Sequence, residues 1–123
     1  MAKYRNKKVF AGGIWLDSKK EAARYRELLL LARAGEIADL ETQVPYELIP
    51  AIYETYERYG KNGKRLKDGR RCIEKGVVYK ADFVYKDKDG NEVVEDTKGY
   101  KTKDYIIKRK LMLDKYGIRI REI

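Results

Sequence analysis

Apolar residues recur along the chain with two different periods. From Ser18 they fall at helical spacing, with Ala22, Tyr25, Leu28, Leu29 and Ala32 following one another on one face. Ser18-Lys19-Lys20-Glu21 fits a capping box, a hydroxyl at the N-cap with a glutamate three residues on, and Gly35 is placed as a stop. A helix over 18–34 is predicted. From Ile37 the period shortens to two: Leu40, Thr42, Val44, Tyr46 and Leu48 alternate with Glu41, Gln43, Pro45 and Glu47. That predicts a strand, which Pro45 assigns to a sheet edge or a bulge.

Two more β-rich runs, 77–85 and 92–98, flank Asp87-Lys88-Asp89-Gly90-Asn91, and an Asp-Gly turn between such runs signals a hairpin. Thr102 can cap a second helix at 103–116, which Gly117 ends, and 118–123 alternates as a final strand. The stretch 51–75 has no single period. Tyr53, Tyr56 and Tyr59 are compatible with a short helix, and the Gly-Lys-Asn-Gly-Lys and Lys-Asp-Gly-Arg segments read as turns within a basic insertion. Residues 1–16 read as a basic N-terminal arm with Gly12-Gly13 as a flexible joint. The element order is α-β-β-β-α-β, an α/β class, and 123 residues suit a single domain.

Composition narrows the chemistry. There is no histidine, and Cys72 is the single cysteine. An intramolecular disulfide, a Cys/His zinc site and every hydrolase that relies on a histidine base are thereby excluded. Any enzyme built from this chain works with carboxylates, lysines, tyrosines or a divalent metal. No run of about 18 apolar residues predicts a membrane span. The basic start Met1-Ala2-Lys3-Tyr4-Arg5 lacks the apolar stretch of a signal peptide. A cytoplasmic protein with no membrane partner is the expectation, since no basic segment alternates with a bulky apolar face either.

Charge is distributed in blocks. The formal net charge is +9. Residues 3–8 carry four basic side chains, 58–75 carry eight against two acidic, and 98–121 carry nine against two, whereas 21–57 holds eight acidic residues and three basic ones. Such a two-sided molecule suits a polyanion, through release of counterions; a merely solvated basic surface is the alternative.

The predicted hairpin brings carboxylates together. A two-residue turn sets Asp82 opposite Thr97; the bulged or three-residue loop shifts the register by one and sets Asp82 opposite Asp96, with Lys98 two residues further along the same face. Like charges opposite one another destabilise a sheet, so a buried pair calls for a cation, either Lys98 alone or Lys98 with a divalent metal. Mg²⁺ suits one or two carboxylates because it keeps other positions for water and phosphate oxygens. A solvated sheet face is the alternative, and Glu95 points the other way.

Asp82 followed by Asp96-Thr97-Lys98 resembles the signature of the PD-(D/E)xK nucleases, the restriction-endonuclease-like superfamily. Leu16-Asp17-Ser18-Lys19-Lys20-Glu21-Ala22, Gly35-Glu36-Ile37, Gln43-Val44-Pro45-Tyr46, Ala81-Asp82-Phe83-Val84-Tyr85 and Val94-Glu95-Asp96-Thr97-Lys98-Gly99 together resemble a small family of phage and prophage proteins long labelled only as a domain of unknown function. The resemblance spans nearly the whole chain except 51–75. It implies an α-β-β-β-α-β core with a central mixed sheet flanked by helices. Ala81 stands where the superfamily signature has proline.

The resemblance further implies a metal-dependent DNA endonuclease similar to archaeal-type Holliday junction resolvases. It would use Mg²⁺, with Mn²⁺ as a substitute, cut branched DNA, work as a homodimer, and act in the cytoplasm of a bacterial host. Asp82 and Asp96 would hold the metal, with Glu21 as the superfamily's helical carboxylate, and Lys98 would position the attacking water or steady the phosphorane charge. Glu21 is equally explained by its place in the capping box. Phosphate contacts are expected from Lys7, Lys8, Arg70, Arg71, Tyr100, Lys101 and Lys110. A nuclease without junction preference and a non-catalytic DNA-binding protein are the competing functions; no tyrosine is marked out as a nucleophile.

Overall fold

The capping signal at Ser18 operates as written: its Oγ accepts the Glu21 N–H at 3.1 Å, and the helix α1 runs Lys19–Arg33. The computed structural model of the protein describes residues 8–123. Before α1 lie the short strands β1 (Val9–Ala11) and β2 (Ile14–Leu16); after it come β3 (Ala38–Ile49), β4 (Ile52–Tyr59), β5 (Arg65–Glu74), β6 (Val77–Lys86) and β7 (Glu92–Asp96). Helix α2 (Lys103–Tyr116) and β8 (Arg121–Glu122) complete the chain.

The centre is a four-stranded mixed sheet in the order β3-β6-β7-β8. β3 and β7 each run antiparallel to β6, and β8 runs parallel to β7. A parallel neighbour needs a crossover, which α2 supplies. Helix α1 and the β1–β2 hairpin cover one face, burying Leu16, Ala22, Tyr25 and Leu28 with Phe83 and Tyr85; Tyr25 stacks on Phe83 with ring centroids 5.9 Å apart. On the other face Tyr105 and Met112 of α2 join Tyr79, Val84 and Val94. This is a mixed α/β fold with a helix on each side. Setting aside the two added hairpins, α1-β3-β6-β7-α2-β8 reproduces the expected order. Pro45 lies on β3, an edge strand, as its missing N–H requires.

Several expectations need correction. Residues 9–16 are not a loose arm: they form the β1–β2 hairpin, and Gly12 and Gly13 form its two-residue turn, both at positive φ (57° and 85°), as the turns that match strand twist demand. The segment 51–75 is ordered as the antiparallel pair β4–β5, with Tyr53, Tyr56 and Tyr59 in strand β4 rather than on a helix. Nearly every residue of that pair is exposed on both faces, so no apolar alternation exists to betray it. β7 stops at Asp96 instead of Lys98 because the Thr97 N–H turns to Asp82 Oδ2 at 2.8 Å. The final strand shrinks to Arg121–Glu122, which pair with the last two residues of β7.

The β1–β2 turn sits tightly on α1. A Cβ on Gly12 would lie 2.6 Å from Tyr25 Cε2 and 2.7 Å from Leu29 Cδ1, whereas one on Gly13 would meet open space. Gly13→Ala should therefore cost only the left-handed backbone penalty, about 1 kcal/mol, and Gly12→Ala about 2–3 kcal/mol once steric displacement is added. Thermal unfolding of the two variants checks this; equal losses would contradict the packing.

Candidate active site

The loop of the β6–β7 hairpin chooses between the two registers. Asp87 and Asn91 close it, with Asp87 N–H donating to Asn91 O and Gly90 N–H to Asp87 O, each at 3.0 Å, and Gly90 at φ 82°. Asp87 Oδ1 accepts the N–H groups of Asp89 and Asn91 at 3.0 and 2.9 Å. This is a three-residue loop with glycine in the left-handed position. The ladder then runs Lys86↔Glu92 to Phe83↔Glu95, and one further step sets Asp82 across from Asp96.

At that step the sheet changes face. Tyr79 and Tyr85, six residues apart on β6, would share a face in a regular strand. Their hydroxyls instead reach Asp96 and Glu95, successive residues of β7 that project to opposite sides. The change falls where Gln43 of β3 and Asp82 of β6 interrupt an otherwise continuous ladder from Thr42↔Phe83 to Val44↔Ala81. Gln43 has φ 54°, a left-handed conformation that costs a residue with a Cβ about 1–2 kcal/mol. The kink turns the Gln43 side chain to the N-terminus of α1, where its amide donates to Glu21 Oε1 at 2.5 Å.

Glu21 fills the helix-start role weighed for it and also stands in the cleft beside Asp82. Its Oε2 accepts the Asp17 N–H at 3.1 Å, closing the helix start, while Oε1 faces Gln43. The residue is buried, and burial followed by the neighbouring Asp82 charge pushes its carboxyl up to about 7. Asp82 spends Oδ2 on Thr97, accepting from its N–H at 2.8 Å and its hydroxyl at 2.9 Å. Asp96 is 1% exposed, and Tyr79 donates to its Oδ2 at 2.6 Å. Burial pushes Asp96 up to about 6; the Asp82 charge adds to the rise, while the Tyr79 hydrogen bond and the Lys98 charge oppose it. Burial and Asp96 raise the Tyr79 phenol, which stays a donor.

Asp96 Oδ1 is buried and has no hydrogen-bond partner among the described residues. A buried carboxylate oxygen without a donor is costly, and a proton or a cation removes the cost. Among the described residues no three metal-capable side chains stand as a preformed cage. Both Glu21 oxygens are engaged by the chain, so Asp82 and Asp96 are the donors with capacity left. Two carboxylate ligands beside open water suit a small, hard divalent ion such as Mg²⁺ or Mn²⁺.

These residues line an open cleft of ≈ 580 Å³ that contains Glu21, Asp82, Asp96, Lys98 and Tyr100. Lys98 is exposed, its Nζ 5.4 Å from the Tyr105 ring centroid. Glu95 lies on the opposite face, bound by the Arg24 guanidinium through two contacts of 2.7 Å and by the Tyr85 hydroxyl. The expected phosphate contacts divide. Tyr100 lines the cleft, but Lys101 Nζ pairs with Glu122 at 3.3 Å, and Lys110 lines a separate hollow with Arg109 and Leu113. Arg70 and Arg71 stand on the β4–β5 pair, Lys8 is exposed ahead of β1, and Lys7 is outside the described residues. Sequence reasoning assigned no site role to Gln43 or Tyr79; Gln43 entered only as part of the Gln43-Val44-Pro45-Tyr46 block, and Tyr79 reads as an ordinary core position.

A mixed α/β fold thus carries a cleft lined by the exposed Lys20 and Lys98 and by the carboxyls of Asp17, Glu21, Asp82 and Asp96. The chain belongs to the family described as "Protein of unknown function (DUF1064)", whose model matches residues 1–121. No curated protein and no solved structure matches it.

Two measurements check this geometry. Glu21 and Asp96 hold their protons more tightly folded than unfolded, so folding takes up protons between the ordinary carboxylate range and about 7, and stability falls as pH rises through that window. In chelator, the Tm of the wild type should drop between about pH 5 and about pH 7.5, and Glu21→Gln/Asp96→Asn should lose most of that slope; parallel slopes would contradict the assignment. Gln43→Gly should be more stable than Gln43→Ala by about 1 kcal/mol, because both lose the amide and only glycine relieves the backbone; the reverse order would contradict the kink.

Proposed function

We propose that this protein is a metal-dependent DNA endonuclease of the PD-(D/E)xK type, with the restriction-endonuclease-like core, and that branched DNA is its substrate. The observation that carries the reading is the buried, unpartnered Oδ1 of Asp96 directly across the hairpin from Asp82, with Lys98 at the cleft mouth. The resemblance of the five sequence blocks, the net charge of +9 and the two lysines lining the cleft support it.

Asp82 and Asp96 would hold Mg²⁺ or Mn²⁺. When bound, the ion supplies positive charge that polarises the scissile phosphate and acidifies water. Tyr79 and Thr97 fix the two carboxylates, so their charge meets the cation without rearrangement. Lys98 offers an ammonium to the charge that develops on the phosphate, and Tyr100 places an aromatic ring and a hydroxyl where the strand enters. Gln43 holds Glu21 at the flank of Asp82. Two symmetric cuts in a junction need two such clefts, which a homodimer provides. Among the described residues no helix is long and apolar enough to cross a membrane.

The test is incubation with Mg²⁺ and a four-way junction, a plain duplex or single strands, beside Asp96→Asn and Lys98→Ala. Paired symmetric nicks confined to the junction are expected, and each variant should lose about a hundredfold or more in rate. Cutting of every substrate would remove the junction preference. Tight, salt-sensitive binding without cleavage in Mg²⁺ or Mn²⁺ would make the protein a DNA binder only.

A further inference from the structure

The β4–β5 pair is a separate two-stranded sheet that continues outward from the place where Ile49 of β3 pairs with Val77 of β6. It builds no core: every residue of β4 is exposed, and of β5 only Gly69 is buried. Gly69 is buried by its own cross-strand partner Tyr56, whose ring occupies the space a Cβ would need, 2.3 Å from Cζ. The ribbon is thus stiffened from within. Arg71 lies over the Tyr56 ring at 4.5 Å and pairs with Glu54 at 2.7 Å, and Arg70 lies over the Tyr53 ring at 3.8 Å.

The charges of the ribbon sort by height. Of its carboxylates, Glu54, Glu57 and Asp68 are each taken by an arginine of the ribbon itself, Arg71 or Arg65, while Glu74 stands at the base opposite Ile52. Around the tip, residues 58–67 contain five cations and no acid. Of these, Arg58, Lys61, Lys64 and Lys67 have no ion-pair partner among the described residues. We infer that the β4–β5 ribbon is a DNA arm that enters the major groove of a duplex beside the cleft, with its tip lysines on the phosphates of the groove walls. The inference rests on the nuclease reading above. A groove about 12 Å wide admits a two-stranded ribbon, and eight residues of strand reach about 26 Å, enough to follow it for most of a turn. The rings of Tyr53 and Tyr56 hold Arg70 and Arg71 in fixed poses, which lowers the ordering cost of a contact with a base edge or phosphate.

The experiment uses the full chain carrying Asp96→Asn, so that DNA stays intact, with and without Lys61→Ala/Lys64→Ala/Lys67→Ala. Affinity for a junction and for a duplex is measured against salt, and dimethyl sulfate interference separates guanine N7 in the major groove from adenine N3 in the minor groove. Circular dichroism and gel filtration confirm that fold and oligomeric state are kept. The triple variant should bind at least about tenfold more weakly at 0.1 M salt and lose about 2–3 from the log–log salt slope, and interference should fall at guanine N7. An unchanged slope with N7 interference absent overturns the arm while leaving DNA binding standing. A change in oligomeric state instead would make the ribbon a contact between copies of this chain. Absence of DNA binding even with the ribbon intact overturns the nuclease reading and the arm together.

Discussion

Repulsion between two carboxylates placed opposite each other on one hairpin is the constraint around which the centre of this molecule is arranged. Asp82 and Asp96 meet because a three-residue loop closed by Asp87 and Asn91 selects that register. Burial of Asp96 then sharpens the conflict, while Asp82 stays half-buried at the cleft, and Glu21 adds a third carboxyl against Asp82. The protein answers with donors aimed at single oxygens: Thr97 on Asp82, Tyr79 on Asp96 and Gln43 on Glu21. One oxygen, Asp96 Oδ1, receives nothing from the described residues.

The cost of this arrangement is spread through the sheet. Gln43 holds an unfavourable φ in order to turn β3, and the change of face along β6 lets residues of one strand serve both cores. The opposite face of β7 is settled differently, for there Glu95 is fully matched by Arg24 and Tyr85. Two adjacent acids on one strand thus have opposite fates. Glu95 is neutralised by the chain and ties α1 to the sheet, while Asp96 is left with capacity for something outside it.

Much of this was readable in the residues because local rules dominate there. The capping box at Ser18, the αL stop at Gly117 and the Asp-Gly hairpin each act over a few residues, and α2 runs over the span its pattern predicts. The pairing of Asp82 with Asp96 was one of two registers until loop hydrogen bonds chose. The kink at Gln43 was invisible, because a positive φ at glutamine follows from tertiary contacts. Ribbon β4–β5 escaped because strands wet on both faces carry no alternation, and the hairpin at 9–16 because its strands are three residues long. The basic block after the hairpin divides in space: Lys110, on α2, lines a separate hollow, and Lys101, ahead of the helix, pairs with Glu122.

The central claim is that the unpartnered oxygen of Asp96 and the carboxylate of Asp82 share a divalent ion. Crystals grown with Mn²⁺ and measured near the manganese absorption edge test it directly. Expected is an anomalous peak between the two side chains, about 2.1 Å from Asp96 Oδ1 and at a similar distance from an Asp82 oxygen. Saturating Mn²⁺ with no peak there, or a peak that leaves Asp96 Oδ1 unligated, would contradict it.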